Sequence, residues 1–117
     1  MSQPWPSLPE PEITTGQLAE IRQGNTTPHR LIDCREPEEW DMCRIEGAEL
    51  FPLGDIPADY ATRLPQVDEP IVVYCHHGMR SGQATQFLRQ KGYRRVWSLQ
   101  HGIDGWSLDQ DPGVPRY

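Results

Sequence analysis

A chain of 117 residues is long enough for one domain that buries roughly two-thirds of its extended surface, and too short for two. With 36% hydrophobic and 24% charged residues its balance is that of an ordinary globular protein, and no run resembles a membrane span. The net charge of -6 argues against a nucleic-acid surface, which normally carries a basic excess. The opening "MSQPWPSLPEPEI" has neither a basic nor an apolar leader segment, so a cytoplasmic location is expected. Three cysteines, Cys34, Cys43 and Cys75, leave one over for disulfide pairing and form no close Cys-x-x-Cys pair, which fits a reducing compartment better than a zinc site.

In chain order, residues 1–11 are proline-rich and read as an extended arm ahead of a domain over residues 12–117. "TTGQLAEIRQG" follows, with Thr14 and Gln17 at capping-box spacing, and predicts a short helix. "HRLIDCRE" supplies a strand ending near Asp33, "EPEEWDM" a turn or two of helix, and "AELFPL" another strand. "DIPADYATRL" reads as helix, "PIVVYC" as a fully buried strand, "SGQATQFLRQKG" as a helix closed by Gly92, "RRVWSL" as a strand and "GIDGWSL" as a last helix. Short apolar strands alternating with helices predict an α/β domain with a mainly parallel sheet of about five strands and helices on both faces. In such sheets ligands bind beyond the carboxyl ends of the strands, and Cys75 falls at such an end.

A loop that leaves a strand and enters a helix turns backbone N–H groups inward, and the helix adds its positive end. Sulfur placed there is stabilised as thiolate, the reactive form. The dipole alone contributes up to about 2 kcal/mol, enough to bring a reference thiol pKa of about 8.5 towards neutrality. A nucleophilic Cys75 follows, and two chemistries compete for it: sulfur transfer and phosphoester or arsenate chemistry. Arg80 follows Cys75 after four residues, giving Cys-x-x-x-x-Arg. Cysteine phosphatases share a loop one residue longer, wide enough for a tetrahedral phosphoryl group; in this chain that extra position is Ser81. The shorter ring suits a single sulfur atom on Cys75.

Taken together, "IDCREPEEW", the "EGA" ending at Gly47 and Ala48, the loop "CHHGMRS" and the closing "LQHGIDGW" resemble a single-domain rhodanese over about residues 12–117. The resemblance implies a three-layer rhodanese-like domain and a sulfurtransferase. In that family Cys75 would attack the outer sulfur of a donor such as thiosulfate, expel sulfite and hold a persulfide. A thiol, cyanide or a carrier protein would then take the sulfur, with no metal or organic cofactor. The ending "DPGVPRY" is similar to rhodanese domains fused to adenylating enzymes, which implies a sulfur-carrier protein or a cysteine desulfurase as partner. Two departures bear on donor choice. Cys43 and Arg44 stand where the family usually has Gly-His, and His101-Gly102 where it has Gly-Gly. A non-catalytic rhodanese-like binding module stays open as an alternative, although such modules typically lack the cysteine that this chain keeps.

The remaining residues carry sharper and blander readings. The cradling loop comprises His76, His77, Gly78, Met79, Arg80 and Ser81. The histidines line the pocket or lie in solvent; adjacent side chains at a tight loop diverge, which disfavours joint metal binding. Gly78 supplies a positive φ, and Met79 reads as a packing residue. Arg80 either binds the anionic end of a donor, the preferred reading, or pairs with an acidic side chain elsewhere. Asp33 and Arg35 form a supporting Asp-x-Arg element, with Arg35 expected to pair with Glu38 or Glu39. Cys34 is a small buried thiol or else a resolving thiol for Cys75. His101 borders the pocket or fills space left by a glycine. Trp97 and Trp106 read as core. The cations Arg89, Lys91, Arg94 and Arg95 gather near a helix C-terminus, where they complement its dipole.

Overall fold

A computed structural model describes residues 5–7, 9–24 and 28–117, so positions 1–4 and 8 of the expected arm lie outside the described residues. The elements are β1 (Glu12–Ile13), α1 (Thr15–Gly24), β2 (Arg30–Asp33), α2 (Pro37–Met42), β3 (Glu49–Leu50), α3 (Ile56–Arg63) preceded by a 3-10 turn (Leu53–Asp55), β4 (Ile71–Tyr74), α4 (Met79–Gln90), β5 (Val96–Leu99) and α5 (Gly102–Asp109). Local chemistry sets several boundaries. The Thr14 hydroxyl accepts from the Gln17 amide while the Gln17 side chain accepts from the Thr14 amide, closing the expected capping box at α1. Pro37 opens α2 behind a second box between Glu36 and Glu39. Gly92, at φ 97°, lets the chain leave α4.

The five strands form one parallel sheet in the order β1-β5-β4-β2-β3. Its side-chain alternation builds two cores. Val72 and Tyr74 join Leu31, Trp97 and Leu99 against Leu18 and Ile21 of α1 and Ile103 and Trp106 of α5. Ile71, Val73 and Cys75 join Ile32, Cys34 and Val96 against Ile56 of α3 and Ala84 and Leu88 of α4. The result is the expected three-layer α/β arrangement, with Trp97 and Trp106 in the core.

Three details differ from the sequence reading. The strand expected over "AELFPL" shortens to two residues, and α4 starts at Met79 rather than Ser81. Strand β1 was not foreseen, because two residues carry no periodicity. It is fixed by tertiary pairing beside β5, where the Ser98 and Gln100 amides donate to Pro11 and Ile13 carbonyls. Ahead of it, Trp5 packs on Trp97 with ring centroids 5.2 Å apart.

From β2 the sheet extends one way to β3, and from β4 the other way to β5. The direction of winding therefore reverses between the carboxyl ends of β2 and β4, the place where open α/β sheets leave a crevice. Cys34 and Cys75 are the first residues beyond those two ends.

Candidate active site

Between Tyr74 and Met79 the chain turns from β4 into α4 within four residues, and Gly78 makes the turn at φ 115°. The conformation brings the Gly78 N–H to 3.1 Å and the Ser81 N–H to 3.3 Å from the Cys75 sulfur. The Ser81 hydroxyl lies 3.4 Å from the same atom and 2.7 Å from the Ser98 hydroxyl on β5. Cys75 is fully buried. The Cys34 thiol beside it, then the Ser81 hydroxyl and amide and the Gly78 amide, hold Cys75 well below the ordinary thiol range, against burial acting the other way. Its neighbour moves oppositely: the adjoining Cys75 sulfur and burial push the Cys34 thiol up. A buried sulfur with inward amides on it is equipped to exist as an anion and to hold a further anionic atom.

The outward side of the loop is secured by α5. The Ile103 amide donates to the Cys75 carbonyl at 2.9 Å and the Asp104 amide to the His76 carbonyl at 3.1 Å. These bonds satisfy otherwise orphaned donors of a helix N-terminus and fix the peptide planes of the loop. Gly102 makes the approach possible, since at φ 61° a Cβ there would fall 2.5 Å from the Cys75 carbonyl oxygen. His101 precedes it in the left-handed region at φ 65° with an exposed side chain, so it caps α5 rather than filling core space.

Arg80 does not reach into the loop. It forms two parallel bonds to Glu39 of α2, Nη1 to Oε1 at 2.7 Å and Nη2 to Oε2 at 2.9 Å. Arg80 first, helped by the Tyr117 hydroxyl, draws the Glu39 carboxyl down to about 2. Tyr117 donates to Glu39 at 2.6 Å and accepts from Arg35 at 2.8 Å. Arg35 is fully buried and clamps Asp33, Nε to Oδ1 at 2.9 Å and Nη2 to Oδ2 at 2.7 Å, while Nη2 also donates to the Cys43 carbonyl. Two corrections follow. Arg35 pairs with Asp33 rather than Glu38 or Glu39, because two residues along a strand end leave the carboxylate next to its guanidinium. Glu39 belongs instead to Arg80, and the preferred reading of Arg80 as a free donor-binding cation gives way to the ion pair.

Comparison with known proteins agrees with this architecture. The family model described as a rhodanese-like domain matches residues 14–109. The chain belongs to the rhodanese-like domain family. The probable adenylyltransferase/sulfurtransferase MoeZ of Mycobacterium tuberculosis is 38% identical over 88 residues, which cover 74% of this chain but 22% of that protein. The thiosulfate sulfurtransferase GlpE of Glaesserella parasuis is 33% identical over 103 residues, covering 86% of this chain and 90% of that protein. Among solved structures, a rhodanese-like domain protein from Staphylococcus aureus is 26% identical, with a TM-score of 0.76 over 91% of this chain and 97% of that chain.

Within this rhodanese-like domain the other expected site residues fall as follows. The His76 ring stacks on Tyr117 at 3.9 Å between centroids and 7° between planes, and lies beside the His77 ring. His77 is exposed, with its Nδ1 3.9 Å from Asp104. Met79, expected to pack, is 80% exposed because the N-terminus of α4 turns it outward. The cations beyond the loop are occupied one by one: Arg89 with the Val96 and Glu10 carbonyls, Arg94 with Asp68, Lys91 over Phe87 and Arg95 over Trp5. Sequence reasoning missed Tyr117 and Ser98. Tyr117 carried no motif beyond the resemblance of its tail, and Ser98 gave no signal inside a buried strand.

Proposed function

We propose that this rhodanese-like protein is a sulfurtransferase that carries sulfane sulfur on Cys75. The observation carrying the reading is the Cys75 sulfur held under the Gly78 and Ser81 amides at the N-terminus of α4. The thiolate attacks the outer sulfur of a donor, the remainder of the donor leaves with the bonding pair, and the new terminal sulfur carries the charge. Loop amides stabilise that charge without reorganising. The pairing of Arg80 with Glu39 speaks against phosphatase chemistry, in which the loop arginine must face the phosphoryl oxygens. Retention of the cysteine speaks against a purely non-catalytic module.

The same ion pair favours a protein-bound persulfide over free thiosulfate as donor, because the loop presents no unpaired arginine to a dianion. A cysteine desulfurase would be a donor of that kind, and the adenylyltransferase/sulfurtransferase relative supports a sulfur-carrier protein on the accepting side of the exchange.

The test is intact mass after incubation with thiosulfate and, separately, with a cysteine persulfide. Sampled early in the reaction, wild type should gain one sulfur atom, and Cys75→Ser none, whereas Cys43→Ser should load as wild type does. Equal loading of Cys75→Ser would refute the assignment. Thiosulfate should saturate only in the millimolar range or above; micromolar saturation would return the reading to a small-anion enzyme.

A further inference from the structure

Cys34 and Cys75 sit side by side where the sheet reverses its winding. Asp33 pairs with Tyr74 in the β2–β4 register, and the ladder continues one step further through the Cys34 amide, which donates to the Tyr74 carbonyl at 3.0 Å. The two cysteines are therefore the next facing positions on neighbouring parallel strands, whose spacing is about 4.8 Å. That lies inside the Cα range of about 4.4–6.8 Å that a disulfide spans. Both side chains are fully buried in the same core cluster, on the α3 and α4 face. Cys43 belongs to the cluster on the opposite face and is out of reach.

The surroundings of Cys75 are also polarised. Ser81, with Ser98 behind it, approaches from the β5 side, and Cys34 from the β2 side. A terminal sulfur on Cys75 is drawn to the loop amides and the serine hydroxyls. Cys34 then faces the inner sulfur from the other flank, as in-line displacement along the sulfur–sulfur bond requires.

We propose that Cys34 is a resolving thiol that discharges the Cys75 persulfide as hydrosulfide, giving the protein a sulfide-releasing activity beside sulfur transfer. In this step the Cys34 sulfur bonds to the Cys75 sulfur, and the bond between Cys75 and the terminal sulfur breaks. The terminal sulfur takes the bonding pair, and the Cys34 proton goes to it. Two thiol sulfurs are oxidised to a Cys34–Cys75 disulfide while one sulfane sulfur is reduced to HS−. No other oxidant takes part, and a small dithiol resets the pair by exchange. While Cys75 is a bare thiolate, Cys34 stays protonated beside it. Persulfide formation moves the charge one atom outward and relieves that restraint. An acceptor that reaches the terminal sulfur first takes it intact; in its absence Cys34 empties the site.

The step rests on the sulfurtransferase reading, and one anaerobic experiment separates the two. Full-length wild type, Cys34→Ser, Cys34→Val and Cys43→Ser are reduced, freed of thiol and given thiosulfate or a cysteine persulfide. Intact mass, sulfite, sulfide and peptide maps are followed in time. The persulfide of wild type and Cys43→Ser should give way to a chain lacking two hydrogens, with about one sulfide per chain and a mapped Cys34–Cys75 disulfide. Both Cys34 variants should keep the persulfide at least about tenfold longer, and no disulfide should form without donor. A persulfide equally long-lived in wild type and Cys34→Ser, with no mapped disulfide, would overturn the resolving role and leave sulfur transfer standing. Failure of every donor to load any variant would overturn both.

Discussion

Arg80 and Glu39 meet through two parallel hydrogen bonds, a fork-to-fork pair between the loop that carries Cys75 and the helix that follows β2. Bidentate pairs of this kind fix geometry as well as charge. Glu39 has three tasks at once: it closes the box at the start of α2, accepts from Tyr117 and neutralises Arg80. The cation nearest the proposed nucleophile is thus held in a structural bond, and the loop relies on backbone amides to hold negative charge.

Replacing Glu39 by Gln keeps the shape of that side chain and releases the Arg80 charge. The thiosulfate KM of Glu39→Gln should fall about three- to tenfold, on the order of 1 kcal/mol for a partly exposed ion pair, and should become more sensitive to salt. Steady-state sulfite formation at two ionic strengths measures it. An unchanged KM would mean that Arg80 is out of reach of the donor. The pair also sets an acid limit on stability. Glu39 has a folded pKa drawn down to about 2, so its contribution is whole above its unfolded value of about 4.3 and is lost as pH falls towards 2. The stability difference between wild type and Glu39→Gln should therefore shrink over that window in acid unfolding curves.

Ser81 contributes both a hydroxyl and an amide to the Cys75 sulfur, and only the hydroxyl can be removed by mutation. Because Cys75 is held below the ordinary thiol range, persulfide formation in wild type should be flat through neutral pH and decline only on the acid side, as the thiolate is protonated. Ser81→Ala removes one stabilising bond, which raises the Cys75 pKa and moves that acid limb to higher pH. A hydrogen bond to the charged sulfur, worth about 1.5 kcal/mol, corresponds to a rate loss of about tenfold on the acid limb, at pH below the Cys75 pKa of both proteins. Single-turnover sulfite release across pH reads the effect. An acid limb that does not move would show that the hydroxyl serves Ser98 and the Gly78 carbonyl rather than Cys75.

Tyr117 bridges the buried Arg35 and the loop-side Glu39, and its ring covers His76. Tyr117→Phe retains the ring and deletes both bonds. One Arg35 N–H loses its acceptor, which would cost about 1.5–3 kcal/mol at a fully buried site. Tyr117 is 40% exposed and water can replace its hydroxyl, so a loss near about 1 kcal/mol is expected in urea unfolding. A change below the precision of the measurement would show that the tail is merely laid over the network.

The sequence made the central strands legible because they are uninterrupted apolar runs, and it made the loop legible because Cys75, Gly78 and Arg80 form a pattern with chemical meaning. The capping box at Thr14 was equally plain, since its two bonds depend on a spacing of three. The partners of Arg35 and Arg80 were misjudged for different reasons: Arg35 stands beside Asp33, Glu36, Glu38 and Glu39 and only the strand end decides among them, whereas Arg80 has no acidic residue near it in sequence and meets Glu39 through the packing of two helices. The Cys34–Cys75 contact was only the second of two readings for Cys34, because it depends on β2 and β4 being neighbours, which periodicity does not report. The misreading of Met79 as packed followed from a misplaced helix start, for α4 begins at Met79, directly after Gly78, and presents that side chain to solvent.

Gly102 offers the most severe test of how the loop is held. Its φ of 61° lies in the left-handed region, which costs an L-residue about 1–2 kcal/mol. An added methyl would also run into the Cys75 and His76 carbonyl oxygens, which are backbone atoms without rotamers to yield. Those carbonyls are the acceptors for the Ile103 and Asp104 amides, so relief of the clash must pull α5 off the loop. Gly102→Ala should therefore lose at least about 2 kcal/mol in urea unfolding. In the fraction that stays folded, persulfide loading should fall more than about tenfold as the Gly78 and Ser81 amides drift from Cys75. Gly82→Ala is the comparison, because a Cβ there has no neighbour within 4 Å and its backbone is not in the left-handed region. Its loss should be clearly smaller, with loading intact. A Gly102→Ala protein as stable and as readily loaded as wild type would show that the α5 contacts do not hold the loop in its amide-inward form.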